Sequence, residues 1–473
     1  MRERDDGMKK NRREFISEAS TGAVGLSLLP LSKKAQAGPG VNGRPNVLIV
    51  LDDQERFPMH LPQPDLPQRE RLRKSSVEFT NNYCTYPLCS PSRSTCMTGL
   101  YPHQAGINNN VDFNQKNPSL EPGIPNLASV FKNAGYETGY FGKWHLTQKV
   151  HTGGSGRTLA QYGFTDGNVC NQVVGWQSDQ LVARNAARWV RSRKKNKPWF
   201  LIVCPVNPHD ICFPQFQAVY RNIPDREVAL PPNFEEDLSG HPEAHRTLRY
   251  QDSLAKIQLQ DNRDDWLDYL RFYLYLIEGV DKNLGRVLDG LEESGQWDNT
   301  IVVFTADHGE MGASHGLVNK GFIYEECLHI PLWISIPWAL SGHHIRSELT
   351  SNLDLVPTLC NLTGIKWPTP LPGMDLLPLK RDSEIEPRPY IFCEGGTSGV
   401  IKYNIPWRGV HAGDWKYCLW QTGEEELYSC TEDPLEMQNL ADDPNALDVK
   451  KMLKSLVQKW CRETGDRHET FVG

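Results

Sequence analysis

The chain has 473 residues, 39% of them hydrophobic and 23% charged, with a mean hydropathy of −0.52. Those values exclude a multi-span membrane protein, a disordered chain and a collagen-like fibre. Its 51 Lys+Arg against 58 Asp+Glu give a net charge of −7, so no global basic field recruits nucleic acid.

Residues 1–37 read as an export signal rather than as fold. Lys9-Lys10-Asn11-Arg12-Arg13-Glu14-Phe15-Ile16 places an arginine pair before a mildly apolar stretch, Ala19 to Leu31, which closes on Ala35-Gln36-Ala37. The apolar part is too short to span a bilayer, and the order basic, apolar, small-x-small is that of a secretory leader. The arginine pair points to the twin-arginine export machinery. Its removal takes away eight Lys+Arg and five Asp+Glu, leaving 43 against 53 and a net charge of −10. No later apolar run is long enough to cross a bilayer, so the mature chain is expected to be exported, periplasmic or extracellular, with no stable membrane insertion. The twelve cysteines form no C-x-x-C pair. A chain that folds in the reducing cytoplasm before export should keep most of them as buried thiols.

Beyond the leader, short β-rich runs alternate with helical stretches, which predicts an α/β fold with both sheet faces covered. Asn46–Leu51 runs into Asp52-Asp53. Next comes Cys89-Ser90-Pro91-Ser92-Arg93, the sharpest signal in the chain. Pro91 suits the first position of a helix, Ser92 and Ser94 favour its start, and Gly99 would end it. A helix N-terminus with Arg93 beside it makes a site for a tetrahedral oxyanion, with Cys89 at its mouth as a candidate low-pKa nucleophile. Thr138–Gly142 then runs into Lys143-Trp144-His145, and Trp199–Cys204 into Pro205-Val206-Asn207-Pro208-His209-Asp210. Phe213 to Ala255, with mixed charges and several prolines, reads as an insertion rimming a pocket.

Trp266 to Leu291 keeps a three-four apolar spacing before Gly295, which predicts a scaffold helix with Asp281, Lys282 and Glu292 toward water. Thr300–Thr305 leads into Asp307-His308-Gly309. In a mostly parallel sheet the carboxyl ends of strands share one edge, and ligands bind in the crevice there. Four segments can therefore deliver carboxylates, imidazoles and a lysine to one place. Prolines crowd Lys366 to Arg388, as in a linker. After it, Val410-His411, Trp415–Trp420 and Glu426–Tyr428 predict antiparallel strands, with Trp407, Trp415, Tyr417 and Trp420 in a small core and a last helix over 447–460. The expected division is leader 1–37, catalytic domain 44–375 and small C-terminal α+β subdomain 385–473.

These motifs resemble the type I sulfatases of the alkaline-phosphatase-like superfamily, from Asn46 to about Leu440. The resemblance is carried by Cys89-Ser90-Pro91-Ser92-Arg93, Thr98-Gly99-Leu100-Tyr101-Pro102, Gly142-Lys143-Trp144-His145, Asp307-His308-Gly309, and Lys320-Gly321 through Tyr324-Glu325-Glu326 to Pro331-Leu332. It implies a large, mixed, mostly parallel sheet flanked by helices, with an antiparallel sheet in the C-terminal subdomain. It also implies hydrolysis of sulfate esters of small molecules or glycans. In that family the motif cysteine, here Cys89, is oxidised by a formylglycine-generating enzyme to Cα-formylglycine, whose hydrate is the nucleophile of a double displacement through a sulfated enzyme. One Ca²⁺, with Mg²⁺ as the alternative, would be held by Asp52, Asp53, position 89, Asp307 and His308. Arg93 and Lys143 would stabilise position 89, His145 would collapse the intermediate, and His209 and Lys320 would bind sulfate and protonate the leaving oxygen. A phosphonate monoester or phosphodiester hydrolase needs the same residues and is the alternative reading.

Overall fold

The computed structural model describes residues 43–473 except 60, 63, 112–116, 149–155, 171–173, 214–219, 221–222, 250–258, 260–261, 378–386 and 397–404. The leader, part of the expected rim insertion and part of the proline-rich stretch lie outside the described residues.

Eight strands form the main sheet: β1 (Asn46–Asp52), β2 (Ser75–Phe79), β4 (Glu137–Gly142), β5 (Asp166–Val169), β6 (Trp199–Cys204), β7 (Thr300–Ala306), β8 (Leu332–Ser335) and β9 (Gly342–Arg346). Their order is β5-β4-β6-β1-β7-β8-β2-β9. β5, β4, β6, β1 and β7 pair in parallel, and only β8 is reversed against its neighbours β7 and β2. β3 (Asn82–Tyr83) and β10 (Thr350–Ser351) make a separate parallel pair. The large, mostly parallel sheet expected from the sequence is therefore present, and the four strands read from it are β1, β4, β6 and β7.

Strand alternation sorts side chains onto two faces. Val47, Ile49 and Leu51 join one core, and Leu48 and Val50 the other. Helix α1 (Pro67–Arg73), α3 (Gly175–Arg191) and α4 (Arg263–Glu293) cover the second face through Leu72, Val182, Ala186, Val190, Leu284, Val287 and Leu288. Helix α2 (Cys89–Thr98) and α5 (Leu355–Thr363) cover the first through Cys96, Met97, Val356 and Leu359. Each such side chain, when fully buried, contributes roughly 1.5–3 kcal/mol.

Helix α4 departs from expectation at Asp281, which is buried rather than facing water. Its carboxylate accepts hydrogen bonds from the backbone N–H groups of Gln68 (3.1 Å) and Arg69 (3.0 Å). Those donors belong to the first turn of α1, whose own N-cap, Leu66, has no capping side chain. An acid on one helix thus satisfies the open end of another.

A second, four-stranded antiparallel sheet follows: β11 (Ile391–Gly396), β12 (Pro406–Ala412), β13 (Trp415–Trp420) and β14 (Glu425–Ser429), backed by α6 (Leu447–Thr464). Trp407, Tyr417 and Trp420 are fully buried as expected, and Trp415 is half-buried. The two sheets share a core. Ile391, Cys393, Trp407, Cys418, Trp420 and Tyr428 pack with Met311, Leu317, Phe322, Ile323 and Tyr324 of the main-sheet loops. All twelve cysteines are free, eleven of them buried.

Candidate active site

The carboxyl ends of β1, β4, β6 and β7 meet at one edge of the main sheet, and the chain turns sharply there. Gly142 closes β4 at φ 114°, where a Cβ would stand 1.8 Å from the carbonyl oxygen of Cys204. Only glycine fits, and the turn sends Lys143 into the crevice. From the next strands come Asp53 and Asp307, joined by a hydrogen bond from the Asp307 N–H to the Asp52 carbonyl, 3.1 Å.

Helix α2 begins two residues earlier than the sequence suggested. Cys89 is its first residue and Pro91 its third, while Gly99 ends it at φ 68°. The serines fasten the helix instead of capping it: Ser92 donates to the Asp307 carbonyl and Ser90 to the His145 carbonyl. No acidic residue sits in its first turn. The Cys89 thiol therefore stands at the positive end of the helix dipole.

Arg93, one turn on, binds both aspartates. Its Nε donates to Asp307 Oδ2 (2.8 Å), one terminal nitrogen to Asp53 Oδ2 (3.1 Å) and the other to the Lys143 carbonyl (2.8 Å). Lys143 Nζ forms an ion pair with the same Asp53 oxygen. Around Cys89 Sγ lie His308 Nε2 at 3.3 Å, Asp53 Oδ1 at 3.6 Å and Lys143 Nζ at 3.6 Å. Burial opposes ionisation of the thiol, but Lys143, Lys320, His308 and a hydrogen bond from His145 outweigh it and hold Cys89 well below the usual thiol range. For Lys320, burial disfavours the charged form. Cys212, Cys89, Asp53 and Glu310 more than compensate, so the ammonium persists far above neutrality. His209 is pushed down to about 4, first by burial and then by Lys143, and is neutral at pH 7. His145 and His209 stand beside the Cys89 thiol, close enough for each to act on the other's ionisation. Of the residues read from the sequence, then, Asp53, Cys89, Arg93, Lys143, His145, His209, Asp307, His308 and Lys320 converge.

Asp52 does not join them, contrary to the sequence reading. It continues the alternation of Leu48 and Val50, so it points to the opposite face of the sheet from Cys89. There it stands 3.8 Å from Arg69, which also pairs with Glu55, and neither Asp52 oxygen makes a hydrogen bond. Burial and Glu55 push its pKa well up.

Gln54, missed in the sequence, takes the place expected of Asp52. Its backbone, at φ 72°, donates an N–H to Asp307 Oδ1 (3.0 Å). Its side-chain oxygen accepts from Lys320 Nζ and its amide nitrogen donates to Glu310, which also accepts from Tyr269 (2.8 Å). The signal was the residue directly after the acid pair, an amide beside a strand end. His315 is structural: it is buried, bonds Glu236 and stacks on Tyr324 at 3.9 Å.

Ligand atoms of Asp53, Cys89, Asp307 and His308 all lie within 4.8 Å of one another and are buried. Two carboxylates with an imidazole suit a divalent cation. With three fixed positive side chains above it, the site can hold a tetrahedral anion against the Cys89 position.

Residues 45–365 match the sulfatase family, and residues 313–463 match the C-terminal region of N-sulphoglucosamine sulphohydrolase. Two relatives come from Bacteroides thetaiotaomicron. An N-acetylglucosamine-6-O-sulfatase is 24% identical, covering 95% of this chain and 92% of its own length. A Δ4,5-hexuronate-2-O-sulfatase is 28% identical, covering 95% and 94%. Among solved structures, one in complex with its substrate D-glucosamine-2-N,6-O-disulfate superposes with a TM-score of 0.74 at 22% identity, covering 90% of this chain and 99% of its own. The phosphonate monoester hydrolase of Agrobacterium radiobacter has the same fold, with a TM-score of 0.67 at 22% identity over 89% and 96%.

Proposed function

The chain belongs to the sulfatase family and is a sulfuric ester hydrolase, and we propose that it cleaves sulfate esters with an oxidised Cys89 as nucleophile and a divalent cation beside it. The observation that carries this reading is the closure of Arg93, Lys143, Asp53, Asp307 and His308 around Cys89 at the start of α2. The Sγ contacts are those of the unmodified precursor. Conversion of Cys89 to Cα-formylglycine by a formylglycine-generating enzyme would give a hydrated aldehyde, which supplies the attacking hydroxyl. Asp53, Asp307 and His308 would hold a cation, Ca²⁺ or Mg²⁺, with the Gln54 amide oxygen close by. Bound there, it supplies charge neutralisation and acidifies the nucleophile.

The chain's own residues have separate tasks. Arg93 fixes Asp53 and Asp307 and keeps their charges apart from the incoming sulfate. Lys143 and Lys320 face the non-bridging oxygens of the ester and offset the charge that spreads over them. As the sulfur–oxygen bond to the alcohol breaks, the leaving oxygen needs a proton, which the Lys320 ammonium delivers, while His209, neutral at pH 7, binds the sulfate. His145 takes the proton of the remaining hydroxyl, so that the carbon–oxygen bond to sulfate breaks and the aldehyde re-forms.

The relatives' names favour a sulfated sugar as substrate. The twin-arginine leader supports an exported protein, with 44–375 carrying the chemistry and 385–473 the small subdomain. Rates on a nitrophenyl sulfate and on the matching phosphonate and phosphodiester test the reaction. Sulfate turnover negligible beside the other two would transfer the assignment to the phosphonate hydrolases, whose fold it shares. Peptide mass spectrometry at Cys89 tests the nucleophile: formylglycine is expected in protein from the native host, and unmodified cysteine alone in fully active enzyme overturns it.

A further inference from the structure

Behind the loop that carries Lys320 lies a second buried group of metal-ligating side chains, His241, His245 and Glu426, whose ligand atoms fall within 4.8 Å of one another. The two histidines flank the start of a short helix, Glu243–Leu248, and Glu426 comes from β14. All three are buried, His245 and Glu426 completely.

The outer nitrogens of both rings are engaged. His241 Nε2 lies 2.7 Å from Glu236 Oε1, and the other Glu236 oxygen is held by His315. His245 Nδ1 lies 3.0 Å from the Tyr324 hydroxyl. That leaves the inner atoms. His241 Nδ1 faces the hydroxyls of Tyr428 and Tyr324, each at 2.9 Å. His245 Nε2 makes no hydrogen bond and faces Glu426 Oε1 at 3.5 Å. A histidine that donates its outer N–H to a carboxylate presents a lone pair inward, the arrangement that orients imidazoles on metals. A nitrogen and an oxygen sharing one tetrahedral zinc, each about 2.0–2.1 Å from it, stand roughly 3.3 Å apart. The separation of His245 and Glu426 is close to that.

Charge points the same way. Among the described residues Glu236 and Glu426 form ion pairs only with histidines, and Glu426 also accepts from Trp420 Nε1 (2.6 Å) and from the Tyr428 hydroxyl. With neutral imidazoles, the buried Glu426 carboxylate and the partly buried Glu236 carboxylate lack a positive partner, which a divalent cation supplies.

We propose that His241, His245 and Glu426 bind a structural Zn²⁺ ion that ties the 233–248 segment to the C-terminal sheet. Glu236 orients His241 from outside, and the Tyr428 hydroxyl or a water takes the fourth position. The site is separate from the catalytic cation and does not depend on the sulfate-ester reading.

Metal analysis of untagged protein, back-titrated with Zn²⁺ and dialysed, tests it alongside thermal melts with and without added zinc. Wild type and Asp53→Asn should each keep about one zinc per chain at this site, with melting raised by zinc. His245→Gln and His241→Gln should lose that ion and the zinc-dependent rise. Equal zinc content in His245→Gln and wild type, or none in wild type, overturns the proposal and leaves imidazolium–carboxylate pairs in its place. Should both histidine variants fail to fold, Glu236→Gln carries the test: zinc affinity should fall about 10–100-fold, and an unchanged affinity refutes the site.

Discussion

Adjacent aspartates with opposite fates make the sharpest test at the residue scale. Asp53 lies among Arg93, Lys143 and His308, whereas Asp52 lies across the sheet beside Arg69. Asp53→Asn should lower kcat by about 10²–10³-fold or more, the usual loss when one preorganised charge is removed, and should weaken cation binding. Asp52→Asn should leave cation affinity and kcat within a few-fold, because burial already disfavours its charge. Calcium titration of both variants with steady-state rates checks this. Motif reading named nearly every converging residue, since most follow a strand end and Cys89 and Arg93 open a helix with its own signature. It failed between Asp52 and Asp53 because a doublet does not say which acid faces which side. That follows only from the parity of β1, counted from Val47 and Leu48 in their two cores. Gln54 was missed for the same reason.

Among the elements, the long helix α4 does more than cover the sheet. Its apolar spacing was plain, but no pattern along α4 announces that Asp281 closes the first turn of α1, more than two hundred residues earlier in the chain. Asp281→Ala should cost about 1–2 kcal/mol, as loss of a helix N-cap does, and Asp281→Asn less. Urea unfolding of the three proteins would show it as a lower midpoint at unchanged slope. The start of α2 shows the opposite limit. Serine and proline preferences found the helix but misplaced its first turn, since the tertiary bonds of Ser90 and Ser92, not local capping, set where it begins.

For the whole molecule, the shared core of the two sheets is the main departure from a picture of separable pieces. Trp407 donates its indole N–H to the Gly321 carbonyl at 2.8 Å, next to Lys320, and Trp420 and Tyr428 pack in the same core. Strand periodicity revealed the small sheet's alternation; contacts this distant in sequence leave no periodic trace. The junction also carries a pH signature. His411 of β12 is driven down to about 4, first by burial. The unfolded chain binds its proton below about 6.5 and the folded chain does not, so stability falls as pH drops from about 6.5 toward 4. Between pH 6.5 and 4.5 the loss from this residue is about 2 kcal/mol. His411→Gln should lose less over that interval by a similar amount, read from urea midpoints at the two pH values.

The burial of Cys89, 1% exposed beneath Arg93, His308 and Lys143, sets an order of events in the life of the chain. An enzyme that oxidises this thiol cannot reach it once β7 has brought Asp307 and His308 into place. On the proposed chemistry and the proposed twin-arginine export, oxidation would precede folding, and folding would precede passage through a pore that accepts folded cargo. A chain that folds too fast would be sealed as an inert thiol, identical in shape to the active enzyme. The yield of active protein would then be decided by a race during synthesis, and slowing translation or raising the maturation enzyme should increase the active fraction without changing the amount of folded protein.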